Sequence, residues 1–229
     1  MMNDNRAVLL LSGGLDSLAA LIQYKKLYAG IIELALTFDY GQKAASKEIE
    51  VSKKICEYYK INHKIIKLDW LKDITKTSLV SADSVPSENL NTKESANGVW
   101  VPNRNAVFIN IAASFCDSFR YKHIIYGANK EEAETFPDNT ENFMFQISEL
   151  FKTSTLVQPK VIAPLINCTK DDIVKIAVES SAPLEFVWSC YNSGEMHCGI
   201  CESCLHLKKA LIANHCTKYL DMLFKKHEN

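Results

Sequence analysis

The segment Ser12-Gly13-Gly14-Leu15-Asp16-Ser17 is the first place in this chain where residue types and spacing could do chemistry. Adjacent glycines let a backbone approach an anion closely. A helix beginning just after them directs free N–H groups and its positive dipole end at that anion. Ser12 and Ser17 add hydroxyl donors for phosphate oxygens. An aspartate beside phosphate is repelled unless a divalent cation bridges the two, so Asp16 predicts Mg²⁺. No Gly-Lys-Ser/Thr follows, so this is not a P-loop, and the glycine spacing is not the dinucleotide fingerprint. The plain alternative is a Gly-Gly turn with Asp16 capping the helix. The apolar run before the loop and the helical periodicity after it favour a phosphate-binding loop over that alternative.

A second cluster lies near the other end. Cys190, Cys198, Cys201 and Cys204 fall within 15 positions, with Gly194 and Gly199 between them for tight turns. Four soft thiolates at this spacing predict a closed, tetrahedral, structural Zn²⁺ site. A redox pair and an iron–sulfur cluster are the alternatives, and His197 could replace one sulfur. Such a site would pin the C-terminal segment to the rest of the chain. Cys56, Cys116, Cys168 and Cys216 stand alone and read as plain thiols.

These residues need a frame. Apolar runs at Ala7 to Leu11, Glu33 to Tyr40, Lys64 to Leu68, His123 to Tyr126 and Val161-Ile162 read as strands. Helical spacing covers Leu18 to Tyr28, Ser46 to Tyr59, Asn105 to Phe119, Thr140 to Ser154 and Thr169 to Ser180, and a last helix starts near Ser203. Thr169 reads as an N-cap with Asp172 in the first turn. The polar stretch Ser81 to Gly98 reads as a long loop or lid. Alternation of strand and helix predicts an α/β fold, a doubly wound parallel sheet, over residues 1–187, with a zinc-binding segment, 188–229, packed on it. Ligands of such sheets bind beyond the carboxyl ends of the strands. Ser12 to Ser17, Asp39 to Lys43 and Gly127 to Glu132 all fall there, so one site is built from several strand ends.

Bulk properties limit the partners. The chain has 229 residues, 26 Lys+Arg against 27 Asp+Glu, and a formal charge of -1. That balance leaves no electrostatic footprint for nucleic acid or a membrane surface. No stretch approaches the ~20 apolar residues of a membrane helix, and the amino-terminal apolar run is too short for a signal peptide. A cytoplasmic protein is expected.

With both motifs in hand, the chain resembles the QueC family of 7-cyano-7-deazaguanine synthases, within the PP-loop ATP pyrophosphatases. Besides the loop, the resemblance rests on Phe38-Asp39-Tyr40-Gly41-Gln42-Lys43 with Glu48 and Glu50 downstream, and on Val101-Pro102-Asn103-Arg104-Asn105. It continues through Phe136-Pro137-Asp138, Thr169-Lys170 and Trp188-Ser189-Cys190-Tyr191. The resemblance implies an adenine nucleotide alpha hydrolase-like, Rossmann-like sheet and a homodimer. It also implies an enzyme that adenylates 7-carboxy-7-deazaguanine with ATP, forms the amide with ammonia, and uses a second ATP to reach the nitrile. Carried onto this chain, Leu11 to Leu18, Phe38, Tyr40 and Gly127 bind ATP. Asp16, Ser17, Lys43 and Arg104 are then catalytic, and Arg104, Glu131, Glu132 and Asp138 face the deazaguanine, with a structural ion pair the alternative for Arg104 and a solvated loop acid the alternative for Glu131 or Glu132. Lys170 reads either as a further cation for phosphate or, preferably, as a solvated first-turn lysine. The block Glu132 to Thr140 departs from the commoner family pattern by losing an arginine and lengthening an acid. A tRNA-modifying PP-loop enzyme, a zinc-knuckle binding module, and a relative that stops at the amide or acylates another amine are the competing readings.

Overall fold

A computed structural model describes residues 5–87 and 93–225. Five strands form one sheet: β1 (Arg6–Leu10), β2 (Ile31–Asp39), β3 (Asn62–Lys67), β4 (His123–Ile125) and β5 (Lys160–Ile162). Every pairing is parallel, in the order β3-β2-β1-β4-β5. The chain thus winds outward from β1 to β3 and then crosses to the other side of β1. The crossing leaves a switch point between β1 and β4, where connections leave in opposite directions and open a crevice.

The helices are α1 (Leu15–Tyr28), α2 (Ala45–Tyr59), α3 (Asp69–Ile74), α4 (Lys93–Val99), α5 (Arg104–Phe119), α6 (Lys130–Ala133), α7 (Glu141–Ser154), α8 (Lys170–Glu179), α9 (Glu202–Ala213) and α10 (Lys218–Leu223). Alternate residues of the central strand point to opposite faces, so β1 is buried on both. Leu9 joins a core built from α1, α2, α8 and α9, while Val8 joins one built from α5 and α7. This two-sided burial is why β1 reads as a continuous apolar run rather than an alternating one. Trp188, Cys190, Cys201 and Cys204 share the first core with Leu15 and Leu18, and Trp188 N–H donates to Gly13 O at 2.9 Å. The C-terminal segment is therefore packed directly behind the glycine loop.

Three short helices depart from the expectation of irregular chain: α3 between the third strand and the expected loop, α4 inside that loop at 81–98, and α6 inside the loop after β4. Residues 88–92 of the expected lid lie outside the described residues. Helix α10 was not expected either. Each has four to seven residues, too few to show a helical period, and each is held by tertiary packing rather than by its own propensity.

Candidate active site

The loop after β1 is held open by glycine geometry. Gly13 has φ +76, and a Cβ there would lie 3.0 Å from Val51 Cγ1 and 3.2 Å from Glu48 O. Gly14 is the N-cap of α1 and offers no side-chain cap, so the first-turn N–H groups carry no side-chain partner at the cap. Ser12 Oγ accepts from Gly14 N–H at 3.3 Å, and Ser17 Oγ donates to Gly14 O at 2.9 Å. Asp16 does not cap the helix. Its two carboxylate oxygens take Lys170 Nζ at 2.9 and 2.6 Å. Gly127, just beyond β4, lies directly against the loop: a Cβ there would meet Asp16 C and Ser17 N at 2.9 Å.

Over the loop lies a cavity of about 280 Å³ at the switch point. Its walls are Leu11, Ser12, Gly14, Leu15, Asp16 and Ser17 from the loop, and Phe38 and Tyr40 from the end of β2. Arg104, Gly127, Glu132 and Lys170 complete them, with Trp188 to Tyr191 closing one side. A second cavity of about 140 Å³ adjoins it, lined by Val99, Trp100, Val101, Phe136 and Asp138. The two share Arg104, Glu132, Asn139 and Tyr191. The Trp100 and Phe136 rings lie 5.8 Å apart and within 10° of parallel.

Two cations meet this junction. Arg104 opens α5, and its Nη1 donates to Tyr40 Oη at 3.5 Å. Burial works against the guanidinium's charge, but Tyr40, Asp138 and Glu132 outweigh it and raise its pKa. Lys170 opens α8, where Thr169 and Asp172 form a complete capping box, so the cap predicted from sequence also aims the lysine. Burial likewise opposes the Lys170 charge, and Asp16 and Glu132 prevail, raising its pKa. Burial pushes Glu132 upward, with Asp16 adding to it and Lys170 and Arg104 opposing. Burial also raises Asp138, which is nearly fully enclosed. The site thus combines fixed positive charge with carboxyl groups poised away from their usual range, a pattern typical of reacting centres.

Several sequence-predicted residues stand elsewhere. Lys43 Nζ donates to Asp83 O, and Lys43 lines neither cavity among the described residues. Glu131 accepts the Lys170 N–H at 2.8 Å and lies 3.8 Å from His206 Nδ1. It tethers α8 instead of facing either cavity. Leu18 is fully buried in the core behind the loop. The preference for a solvated Lys170 is overturned by its contact with Asp16. Local rules place a polar residue after an N-cap at the surface, and nothing local reveals a partner 154 positions away. Trp100 and Glu48 also line the site unforeseen; each lies next to or within a quoted motif.

The four cysteine sulfurs Cys190, Cys198, Cys201 and Cys204 all lie within 4.8 Å of one another, a grouping that fits one metal ion. Asn192 and Cys198 N–H groups donate to Cys190 Sγ at 3.4 Å, and Cys201 N–H donates to Cys198 Sγ at 3.4 Å. Backbone donors of this kind favour thiolates. His197 stays out of the group. Its Nε2 accepts from Ser189 N–H at 3.0 Å and its Nδ1 meets Leu223 O at 3.0 Å, which fixes the neutral Nδ1–H tautomer. Burial lowers its pKa in the same sense.

Comparisons with known proteins give this chain relatives over most of its length. The sequence is 48% identical over 216 residues to the 7-cyano-7-deazaguanine synthase of Methanosarcina barkeri (strain Fusaro / DSM 804), covering 90% of this chain and 93% of that one. It is 50% identical over 217 residues to the enzyme of the same name from Methanosarcina mazei, with the same coverage. Among solved structures, the U34-tRNA thiolase NcsA from Methanococcus maripaludis with its 4Fe-4S cluster superposes with a TM-score of 0.50 at 18% identity. That match covers 96% of this chain and 71% of that one, and shows the shared fold alone. The family described as Queuosine biosynthesis protein QueC matches residues 6–215, and the chain belongs to that family.

Proposed function

We propose that this protein uses two ATP molecules to convert 7-carboxy-7-deazaguanine and ammonia into 7-cyano-7-deazaguanine. One observation carries the reading: the cavity over the glycine loop and an aromatic, acid-lined cavity share a wall of Arg104, Glu132, Asn139 and Tyr191. A planar base in the second cavity would present its carboxylate to nucleotide in the first. Adenylation needs that juxtaposition and charge neutralisation more than a protein nucleophile. The names of the relatives support the same product.

In this reading Ser12, Gly14 and Ser17 hold the pyrophosphate of ATP with the N-terminal N–H groups of α1. Asp16 would hold Mg²⁺, which supplies charge neutralisation when bound. Lys170 and Arg104 neutralise the remaining phosphate charge, and Lys170 takes the part first given to Lys43. Trp100 and Phe136, stacked on each other, form an aromatic wall for the deazaguanine, and Asp138 and Glu132 accept hydrogen bonds from its N–H groups. The carboxylate attacks the α-phosphorus and pyrophosphate leaves. Ammonia then displaces AMP to give the amide, whose oxygen is adenylated in turn, and loss of AMP leaves the nitrile.

The four cysteines hold Zn²⁺ in a structural role. Sulfurs within 4.8 Å of one another lie near the spacing of about 4 Å that Zn–S bonds of ~2.3 Å give around one tetrahedral ion. A four-iron cluster binds each thiolate to a different iron and spreads the sulfurs wider. The partners are small molecules, and the protein works as a cytoplasmic homodimer, a point that rests on family resemblance and is checked by light scattering. The test of the activity is mass spectrometry of a reaction with ATP, Mg²⁺, ammonium and 7-carboxy-7-deazaguanine. Nitrile with AMP released at two stages is expected. Amide alone would mean a relative that stops halfway, and no AMP would refute the reading.

A further inference from the structure

Glu48 lies in the first turn of α2 and opens onto the larger cavity, yet the adenylation chemistry leaves it unused. Its orientation follows from Gln42. The Gln42 Oε1 accepts Tyr40 N–H at 3.0 Å, so Nε2 must be the donor, and it donates to Phe38 O at 2.9 Å and to Glu48 Oε2 at 2.8 Å. Both amide hydrogens are spent and the amide cannot flip. One carboxylate oxygen is thereby anchored, while Oε1 has no hydrogen-bond partner among the described residues.

The surroundings suit a small cation. Phe38 and Phe108 stack at 3.9 Å, and Tyr40 lies 5.8 Å from Phe108; all three line the cavity beside Glu48. Aromatic faces next to a carboxylate attract an ammonium group. Two of the other acids carry partners of their own: Asp16 holds Lys170, and Asp138 accepts from Asn139 Nδ2 at 3.2 Å. Burial raises the Glu48 carboxyl to about 7, with Asp39 adding to the rise while the Gln42 hydrogen bond and Arg104 oppose it. Tyr40 is the other titratable group facing it. A carboxyl group so placed changes protonation at neutral pH, where general-base catalysis is most effective.

The proposed reaction has a need that this group meets. Ammonia at neutral pH is almost wholly ammonium, which has no lone pair and cannot attack. We propose that Glu48 binds ammonium against this aromatic wall and takes its proton, releasing ammonia beside the adenylated carboxyl group. The inference rests on the function proposed above. In the step, one N–H bond of ammonium breaks and its proton goes to Glu48 Oε1. The freed lone pair forms the C–N bond, and the C–O bond to AMP breaks with its electron pair leaving on AMP. The extra N–H proton of the product and the Glu48 proton then pass to solvent.

The experiment compares wild type and Glu48→Gln in the full chain, following three readouts: pyrophosphate exchange, amide formation with ammonium, and acyl transfer to hydroxylamine, which is neutral at pH 7. Glu48→Gln should slow amide formation at pH 7 about 100-fold, recover toward wild type near pH 9, and use hydroxylamine as wild type does. In wild type the amide rate should fall as pH drops through about 7, because the carboxylate is then protonated. An unchanged amide rate at pH 7 would overturn the proposal. So would a raised KM for ATP with amide formation intact, which would make Glu48 a nucleotide contact. Should Glu48→Gln lose its fold, Glu48→Asp carries the test through its KM for ammonium and its acid limb, and no change in either refutes the role. A wild-type protein that forms no AMP from the acid refutes the underlying function instead, a separate outcome.

Discussion

Asp16 is held in this structure by a bidentate contact with Lys170, and a divalent cation in the proposed role would compete with that lysine for the carboxylate. In the proposed role Asp16 holds the divalent cation whose charge offsets that of the phosphates. Asp16→Ala should therefore lower AMP formation at least about 100-fold, since one preorganised charge at a reacting centre is worth that much. The fold should survive, because Asp16 lies at the mouth of the cavity and supports no core. Lys43→Ala is the contrasting variant. Its ammonium is tied to the Asp83 carbonyl, so the KM for ATP should stay within about twofold of wild type. Steady-state AMP release measured on both variants decides the matter. Equal losses in the two would mean that Lys43 swings into the cavity on nucleotide binding, and normal turnover by Asp16→Ala would remove its metal role.

At the scale of elements, the glycine loop works because β4 lets it approach. Gly127 lies so close to the Asp16 and Ser17 backbone that a methyl group would stand 2.9 Å from both, where no flexible side chain can yield. Gly127→Ala should push the loop off its position by a few tenths of an ångström or more. The expected consequence is a fall of up to about 100-fold in kcat/KM for ATP, typical of a displaced reacting group, with the sheet intact by circular dichroism. An ATP dependence equal to wild type would show that the loop position is not set from β4. This contact was not legible in the sequence, although its ingredients were. The strand–glycine–helix order at Leu11 to Leu18 marked the glycine loop, and the Thr169 and Asp172 pair marked the start of α8, because both depend on neighbours in the chain. The packing of Gly127 on Asp16, the reach of Lys170 to Asp16 and the joining of two cavities through Arg104 depend on the strand order. Sequence predicts a parallel sheet without saying which strand lies beside which. Helices α4 and α10 escaped for a related reason: elements this short take their form from what they pack against.

For the molecule as a whole, the cysteine cluster decides whether the cavity has a fourth wall. Trp188 to Tyr191 line the cavity, and Cys190 lies in that same run, so the cysteine cluster and the cavity share a stretch of backbone. Trp188 N–H bonds Gly13 O at 2.9 Å and Glu202 N–H bonds Pro86 O at 3.0 Å, which ties the segment to the glycine loop and to the chain before α4. The last helix adds a further hold through His197, whose ring reaches Leu223 O. Little other regular structure spans 187–201, so the thiolates have to supply the closure that a strand or long helix supplies elsewhere. Four thiolates left without metal would be a crowded group of like charges or buried thiols, and structural zinc contributes its binding free energy to folding. Cys201→Ser, at a fully buried sulfur, should lose zinc from one equivalent to a small fraction and lower the melting temperature by several degrees, since ~1 kcal/mol moves a domain of this size by about 2–4 °C. It should also raise the KM for ATP, because the wall behind Gly13 loosens with the metal. Elemental analysis, thermal melts and ATP titration on one preparation separate these effects. Zinc content equal to wild type would refute the four-thiolate site, whereas lost zinc with unchanged ATP binding would keep the site and free the cavity from dependence on it.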